Sequence, residues 1–227
     1  MDSTVGLRVL GIDPGLTRCG LSIVQAGKGR TVIPVAVGVA RTPYKSSMGD
    51  RLKELYEAIA EWISEYNPDV VAMERLFERG EVSTVLHTAH AVGVLILAAS
   101  QAGLAVHEYT PSQVKKAITG NGRANKKQMT AMVTRILGLE NPPKPADAAD
   151  ALAIAITHCW RAPQILREEK AKEQLRKMGI DPDRATGPKG MNTTYHPRVV
   201  PTPQVTGETI RDLGTNQTRS SQTRPRH

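Results

Sequence analysis

The order in which apolar runs follow one another limits this chain more than any other feature. Residues 7–13 form an apolar run closed by Asp13-Pro14-Gly15, a turn signal, and read as a strand entering a hairpin. Residues 20–26 and 31–40 read as two further strands joined by the Gly27-Lys28-Gly29 turn, and three strands this close make an antiparallel meander. Residues 50–66 then place Leu52, Leu55, Ile59 and Ile63 at three- and four-residue spacings, a helix that Asn67-Pro68 ends. Residues 69–76 are short and apolar around Val70-Val71-Ala72-Met73, as a buried parallel strand requires. A long apolar helix over 84–102 and a strand over 104–109 follow. Helices over 111–119 and 126–137 flank a Gly120-Asn121-Gly122 turn, and a last helix covers 147–160. This βββ-α-β-α-β-α order predicts an α/β domain, a mixed five-stranded sheet flanked by helices.

The 227 residues suffice for one sizeable core or two small ones, and the pattern degrades past Pro163. We therefore expect one domain over residues 1–163, a charged helix over 164–178 and a disordered basic tail over 179–227, which has little to bury. The formal charge of +8 points toward a polyanionic partner, but its location matters more than its sum. Residues 1–160 carry 17 basic against 15 acidic side chains, whereas residues 161–227 carry 13 against 7. The excess thus sits in the tail, and by itself it is a weak sign of a nucleic-acid site. Two cysteines, Cys19 and Cys159, allow neither a disulfide framework nor a zinc cluster and are expected to be reduced core residues. No signal peptide is evident, and the longest apolar run, 91–99, is far short of the roughly 20 residues that span a bilayer. The expectation is a cytoplasmic protein.

Four acids stand where acids are awkward. Asp13 ends the first apolar strand and Glu74 ends the central one, while Asp147 and Asp150 interrupt Ala-Asp-Ala-Ala-Asp-Ala-Leu-Ala. Their i,i+3 spacing puts both carboxylates on one helix face, in its first turn. Taken singly, each has an ordinary explanation: Asp147 could cap the helix and Glu74 could meet water at a strand end. Capping does not account for Asp150, which would repel Asp147. If all four converge at the strand ends, where α/β sheets build sites, each pair at 4 Å costs about 4 kcal/mol at an effective dielectric near 20. Divalent cations remove that cost, and hard carboxylate oxygens select Mg²⁺ or Mn²⁺ over zinc. With no His, Cys or Ser nucleophile nearby in sequence, metal ions supply the reactivity, and about two of them form the usual clamp for phosphodiester hydrolysis.

From Pro111 to Arg135 the chain carries Lys115, Lys116, Arg123, Lys126, Lys127 and Arg135 and no acid. A merely solvated face would mix signs, as residues 167–177 do, so this stretch reads as a phosphate-tracking surface.

These residues resemble the RuvC family of bacterial crossover junction endodeoxyribonucleases. The resemblance lies in Leu10-Gly-Ile-Asp13-Pro-Gly15, Met73-Glu74-Arg75-Leu76-Phe77, Gln113-Val-Lys115 and Ala146-Asp147-Ala-Ala-Asp150-Ala-Leu-Ala, and runs from about residue 7 to 163. Each motif alone is unspecific; four in order at suitable intervals are not. The resemblance implies a ribonuclease H-like fold and a homodimer. It also implies Mg²⁺-dependent symmetric nicking of four-way junction DNA that leaves 5′-phosphate and 3′-hydroxyl ends. It makes Asp13, Glu74, Asp147 and Asp150 catalytic metal ligands and matches Lys115 and Lys126 to basic residues that contact DNA. Phe77, the chain's single phenylalanine, matches an aromatic that stacks on bases. A partnership with the RuvA–RuvB branch-migration machinery is implied as well, though no residue here displays it.

The 84–102 helix is apolar nearly all round, so it is either deeply buried or shared with a second copy. His87 and His90 lack a carboxylate at helical spacing and make no metal site. Three other readings compete. Asp13-Pro14-Gly15 resembles a phosphate loop of actin-like kinases and ATPases, but a second loop and an adenosine motif are missing. A non-catalytic junction-binding module would have a degraded acid set. A nuclease of the same superfamily could act on another nucleic acid, such as an RNA hybrid.

Overall fold

A computed structural model describes residues 4–76 and 82–182, and the backbone of Thr194–Tyr195. Strands β1 (Arg8–Asp13), β2 (Arg18–Ala26) and β3 (Val32–Arg41) form the expected antiparallel meander, with Asp13 opposite Gly20. On the other side of β1, strand β4 (Val70–Glu74) runs parallel to it, and β5 (Ala105–Tyr109) runs parallel to β4. Helix α1 (Met48–Tyr66) starts two residues before the expected point, because the Ser47 hydroxyl accepts from the Asp50 backbone N–H and caps it. Helices α2 (Val82–Gln101), α3 (Pro111–Thr119), α4 (Lys126–Ile136) and α5 (Ala146–Lys177) complete the fold. Two capping boxes, Thr110 with Gln113 and Asn125 with Gln128, fix the starts of α3 and α4.

Alternation along the strands divides the interior in two. Leu10, Ile12, Leu21, Ile23, Val71 and Met73 face α1 and α2, which contribute Leu55, Ile59 and Leu95. Val9, Val24, Val70 and Ala72 face the opposite layer, with Val114, Ile118, Met129 and Val133 from α3 and α4 and Leu152 and Ile156 from α5. Both cysteines are buried thiols, as expected, and burial pushes each up to about 12. Neither is an available nucleophile.

At two points the structure adds to the expected elements. The helix expected over 147–160 and the charged helix expected over 164–178 are one element, α5, a helix of 32 residues running through Pro163. Interior proline costs about 3 kcal/mol, but Ala162 is buried and Ile165 and Leu166 are half-buried on the same side. Packing against the sheet thus carries the helix across the break. Of the tail expected over 179–227, residues 183–193 and 196–227 lie outside the described residues, and Thr194–Tyr195 is a short sixth strand, β6, antiparallel to β5 at His107 and Val106. The five expected strands therefore gain a two-residue addition at the β5 edge, in the order β3-β2-β1-β4-β5-β6. Among the described residues, no helix is long and apolar enough to cross a membrane.

Candidate active site

Asp13 and Glu74 close two neighbouring parallel strands. Ile12 lies beside Met73 in the β1–β4 register, so the next residue of each strand brings the two acids to the same sheet edge. The other two acids reach that edge because α5 lies unusually close to the sheet. Its first turns cross β1 and β2 over Gly11 and Gly20. A Cβ at Gly20 would collide with the backbone of Asp147 and stand 3.2 Å from the Asp13 Cβ, and one at Gly11 would collide with the Ala151 carbonyl. Buried Ala148, Ala151 and Ala155 keep the helix side of this contact equally thin. Asp147 does not cap α5: the N-cap is Pro145, which offers no side-chain hydrogen bond.

Asp13, Glu74 and Asp150 line one cavity of about 310 Å³, together with Lys115, Lys126, Pro111, Val114 and Met129. Burial, reinforced by the charges of Glu74, Asp150 and Asp147, pushes the Asp13 carboxyl up to about 7 despite the opposing charge of Lys126. Burial and Asp150 likewise raise Glu74, against the pull of Lys115. Asp13, Glu74 and Asp150 thus share one cavity, and Asp147 stands near enough to add to the repulsion on Asp13. Two of them already hold a cation: Lys126 Nζ lies 3.2 Å from Asp150 Oδ2, and Arg18 Nη2 lies 2.6 Å from Asp147 Oδ2. Among the described residues, no group of three or more His, Cys, Asp or Glu side chains forms a ready coordination shell. The donor chemistry nonetheless fits a hard divalent cation, since the acids lining the cavity offer only carboxylate oxygens and repel one another.

Of the basic residues expected to meet DNA, the fold brings Lys115 and Lys126 into the cavity. Lys116, Arg123 and Lys127 are exposed on α3, α4 and their connection, outside its lining. Gly120 is the left-handed C-cap of α3, its backbone N–H bonded to the Lys116 carbonyl. Phe77 lies outside the described residues. Sequence reasoning missed Arg18, whose position one residue beyond Thr17 carried no signal, and the two glycines that admit α5.

A family model described as "Crossover junction endodeoxyribonuclease RuvC" matches residues 9–158, a span that contains all four acids. The chain belongs to the RuvC family. The RuvC crossover junction endodeoxyribonuclease of Corynebacterium glutamicum is 67% identical over 174 residues, 76% of this chain and 79% of the relative. That of Mycobacterium avium is 57% identical over 166 residues, 73% of this chain and 88% of the relative. Among solved structures, Thermus thermophilus RuvC in complex with Holliday junction substrate matches with a TM-score of 0.67 at 34% identity, over 70% of this chain and 96% of that one. The ribonuclease H-like sheet expected from the motifs is therefore the RuvC fold, and membership in the family sets the kinase-like and ATPase-like reading aside.

Proposed function

We propose that this protein is a structure-selective endodeoxyribonuclease that resolves four-way DNA junctions by symmetric nicking, leaving 5′-phosphate and 3′-hydroxyl ends. One observation carries the reading: in a chain of the RuvC family, three distant acids and two lysines share one cavity, and the fourth acid stands beside it. Asp13, Glu74 and Asp150, with Asp147 turned inward, would hold Mg²⁺, with Mn²⁺ able to substitute. About two ions per subunit would lower the pKa of a bound water and offset charge on the reacting phosphate. Lys115 and Lys126 neutralise phosphate at the cavity wall and partly offset the repulsion among the carboxylates. The cavity floor of Val114, Met129 and Ile154 limits water around the reacting group. Lys116, Arg123 and Lys127 extend the positive surface along which a strand lies.

Two matched nicks call for two sites related by a two-fold axis, so the reading includes a homodimer. Leu86 and Leu97, three turns apart on α2 and each about half exposed, supply an apolar face for it. Action on chromosomal DNA in the cytoplasm, alongside the RuvA–RuvB branch-migration complex, belongs to the same proposal and follows from the family resemblance. The test is a nicking assay on four-way junction, duplex, flap and RNA–DNA hybrid, with and without Mg²⁺. Selective, Mg²⁺-dependent paired cuts in the junction are expected. Preferred cutting of the hybrid would favour a different specificity on the same fold, and junction binding without cutting would favour a non-catalytic module.

A further inference from the structure

Asp147 is the acid that stays out of the cavity lining, and its partner is specific. Arg18 places both Nε and Nη2 at 2.6 Å from the same oxygen, Asp147 Oδ2, across 129 residues of sequence. The pair is partly open to water, with the Arg18 side chain 44% and that of Asp147 26% exposed. An ordinary surface pair of this kind contributes little, because ordering two long side chains offsets the attraction. Here the backbone beneath the arginine is already fixed. Arg51, only 5% exposed, donates through Nη2 to Thr17 Oγ1 (2.6 Å) and through Nε to Thr42 Oγ1 (2.9 Å). Thr42 in turn donates from its hydroxyl to the Leu16 carbonyl (2.6 Å) and from its backbone N–H to the Thr17 carbonyl (3.3 Å). Residues 16 and 17 are thus pinned to the end of β3 and to α1, and Arg18 leaves a rigid corner already aimed at the start of α5. The Lys126–Asp150 pair differs: its single contact is longer, and both partners remain in the cavity wall.

We propose that Arg18 is a positioning residue for Asp147: its guanidinium holds that carboxylate at the rim of the cleft by Oδ2, and a divalent ion recruiting Asp147 must work against that hold. This rests on the metal-dependent reading above. Two planar N–H donors crowd one oxygen, so an ion binding through Oδ2 competes with the fork for that atom, and one binding through Oδ1 meets the guanidinium charge beside it. Loading of the site through Asp147 is then opposed by Arg18, and the protein without metal carries its own counter-ion.

The experiment is a Mn²⁺ titration of the full-length protein without DNA, with free Mn²⁺ counted by electron paramagnetic resonance. Wild type, Arg18→Ala, Arg18→Gln, Arg18→Lys and Asp13→Asn are compared, and circular dichroism melting confirms each fold. Arg18→Ala and Arg18→Gln should bind Mn²⁺ about three- to tenfold more tightly than wild type, the range a single charge-assisted pair produces. Arg18→Lys, which keeps the charge and loses the fork, should fall between them and wild type. Wild-type affinity in both the alanine and glutamine variants overturns the proposal, and wild-type affinity in Arg18→Lys overturns the role of the fork in favour of bare charge. Should Asp13→Asn lose Mn²⁺ while the Arg18 variants match wild type, only the Arg18 proposal falls. Should wild type itself leave Mn²⁺ free, the metal-dependent reading falls and this one with it.

Discussion

At the scale of single residues, Asp13 concentrates the cost of the site. It sits among three other carboxylates in a place where burial already opposes charge. Asp13→Asn should lower the nicking rate by about two to four orders of magnitude, the range seen when a group acting on the reacting centre is removed. Junction binding should persist or tighten, since one negative charge leaves the cleft; gel-shift and cleavage assays run together check both. The same substitution should raise the melting temperature of EDTA-treated protein, because it removes a charge that burial and three neighbouring carboxylates oppose. Lys115→Ala and Lys126→Ala should slow nicking and flatten the salt dependence of junction binding, with a change in log–log slope of up to about one each. An unaltered slope would take these lysines off the phosphate path. The four acids were legible in the sequence because each interrupts an apolar pattern. Arg18 was not, since nothing local announces a partner 129 positions away.

At the scale of elements, α5 organises the site, and its closeness to β1 and β2 depends on residues that lack side chains. Gly20→Ala should push the start of α5 off the sheet, costing about 1–3 kcal/mol of stability and most of the nicking; chemical denaturation alongside the cleavage assay would show both. Farther along, His158 of α5 is buried against β5. Its Nδ1 shares a 2.8 Å hydrogen bond with the Tyr109 hydroxyl, and its ring lies 4.7 Å from that of His107. Burial, with the charges of His107 and Arg161, pushes His158 down to about 3. A histidine held neutral in the fold contributes stability that is fully present above its unfolded pKa, about 6.5, and that is lost as pH falls toward about 3. His158→Phe should therefore lose less stability than wild type between about pH 7 and pH 4, as read from urea midpoints. The meander and the helix periods could be read from the sequence because each carries its own pattern of two or 3.6 residues. The continuity of α5 could not: Pro163 and the charged run after it are local signals of an ending, and the packing of Ala162, Ile165 and Leu166 that overrides them is tertiary.

For the whole molecule, the sheet separates two faces with different tasks. The α5 face carries the candidate site, and on the opposite face α2 leaves two leucines outside the core. Leu86 and Leu97 are each about half exposed on α2. On the proposed pairing of two copies through α2, the double substitution Leu86→Glu with Leu97→Glu should leave the fold intact and shift sedimentation from dimer to monomer. Nicking should then become unpaired, with one strand cut per encounter. A dimer that persists in that variant would move the two-fold axis to another surface. The charge distribution matters at this scale as well: the excess lies in residues 161–227, yet the cavity works with cations drawn from the nearly balanced part of the chain.

The alanine and glycine contact beneath α5 reverses the usual sensitivity of a protein interior. Most cores are injured by truncation, because removing methyl groups opens a void. Along Gly11, Gly20, Ala148, Ala151 and Ala155 almost nothing is left to remove, so harm comes from growth by even one methyl group. A comprehensive substitution library should accordingly show a narrow corridor running from the sheet into the cleft, closed to every larger side chain. The wider aliphatic layer beneath α1 should accept Leu, Ile, Val and Met in exchange for one another. The distance between Asp13 and Asp147 is, in this sense, set by an upper limit on atomic volume beside them.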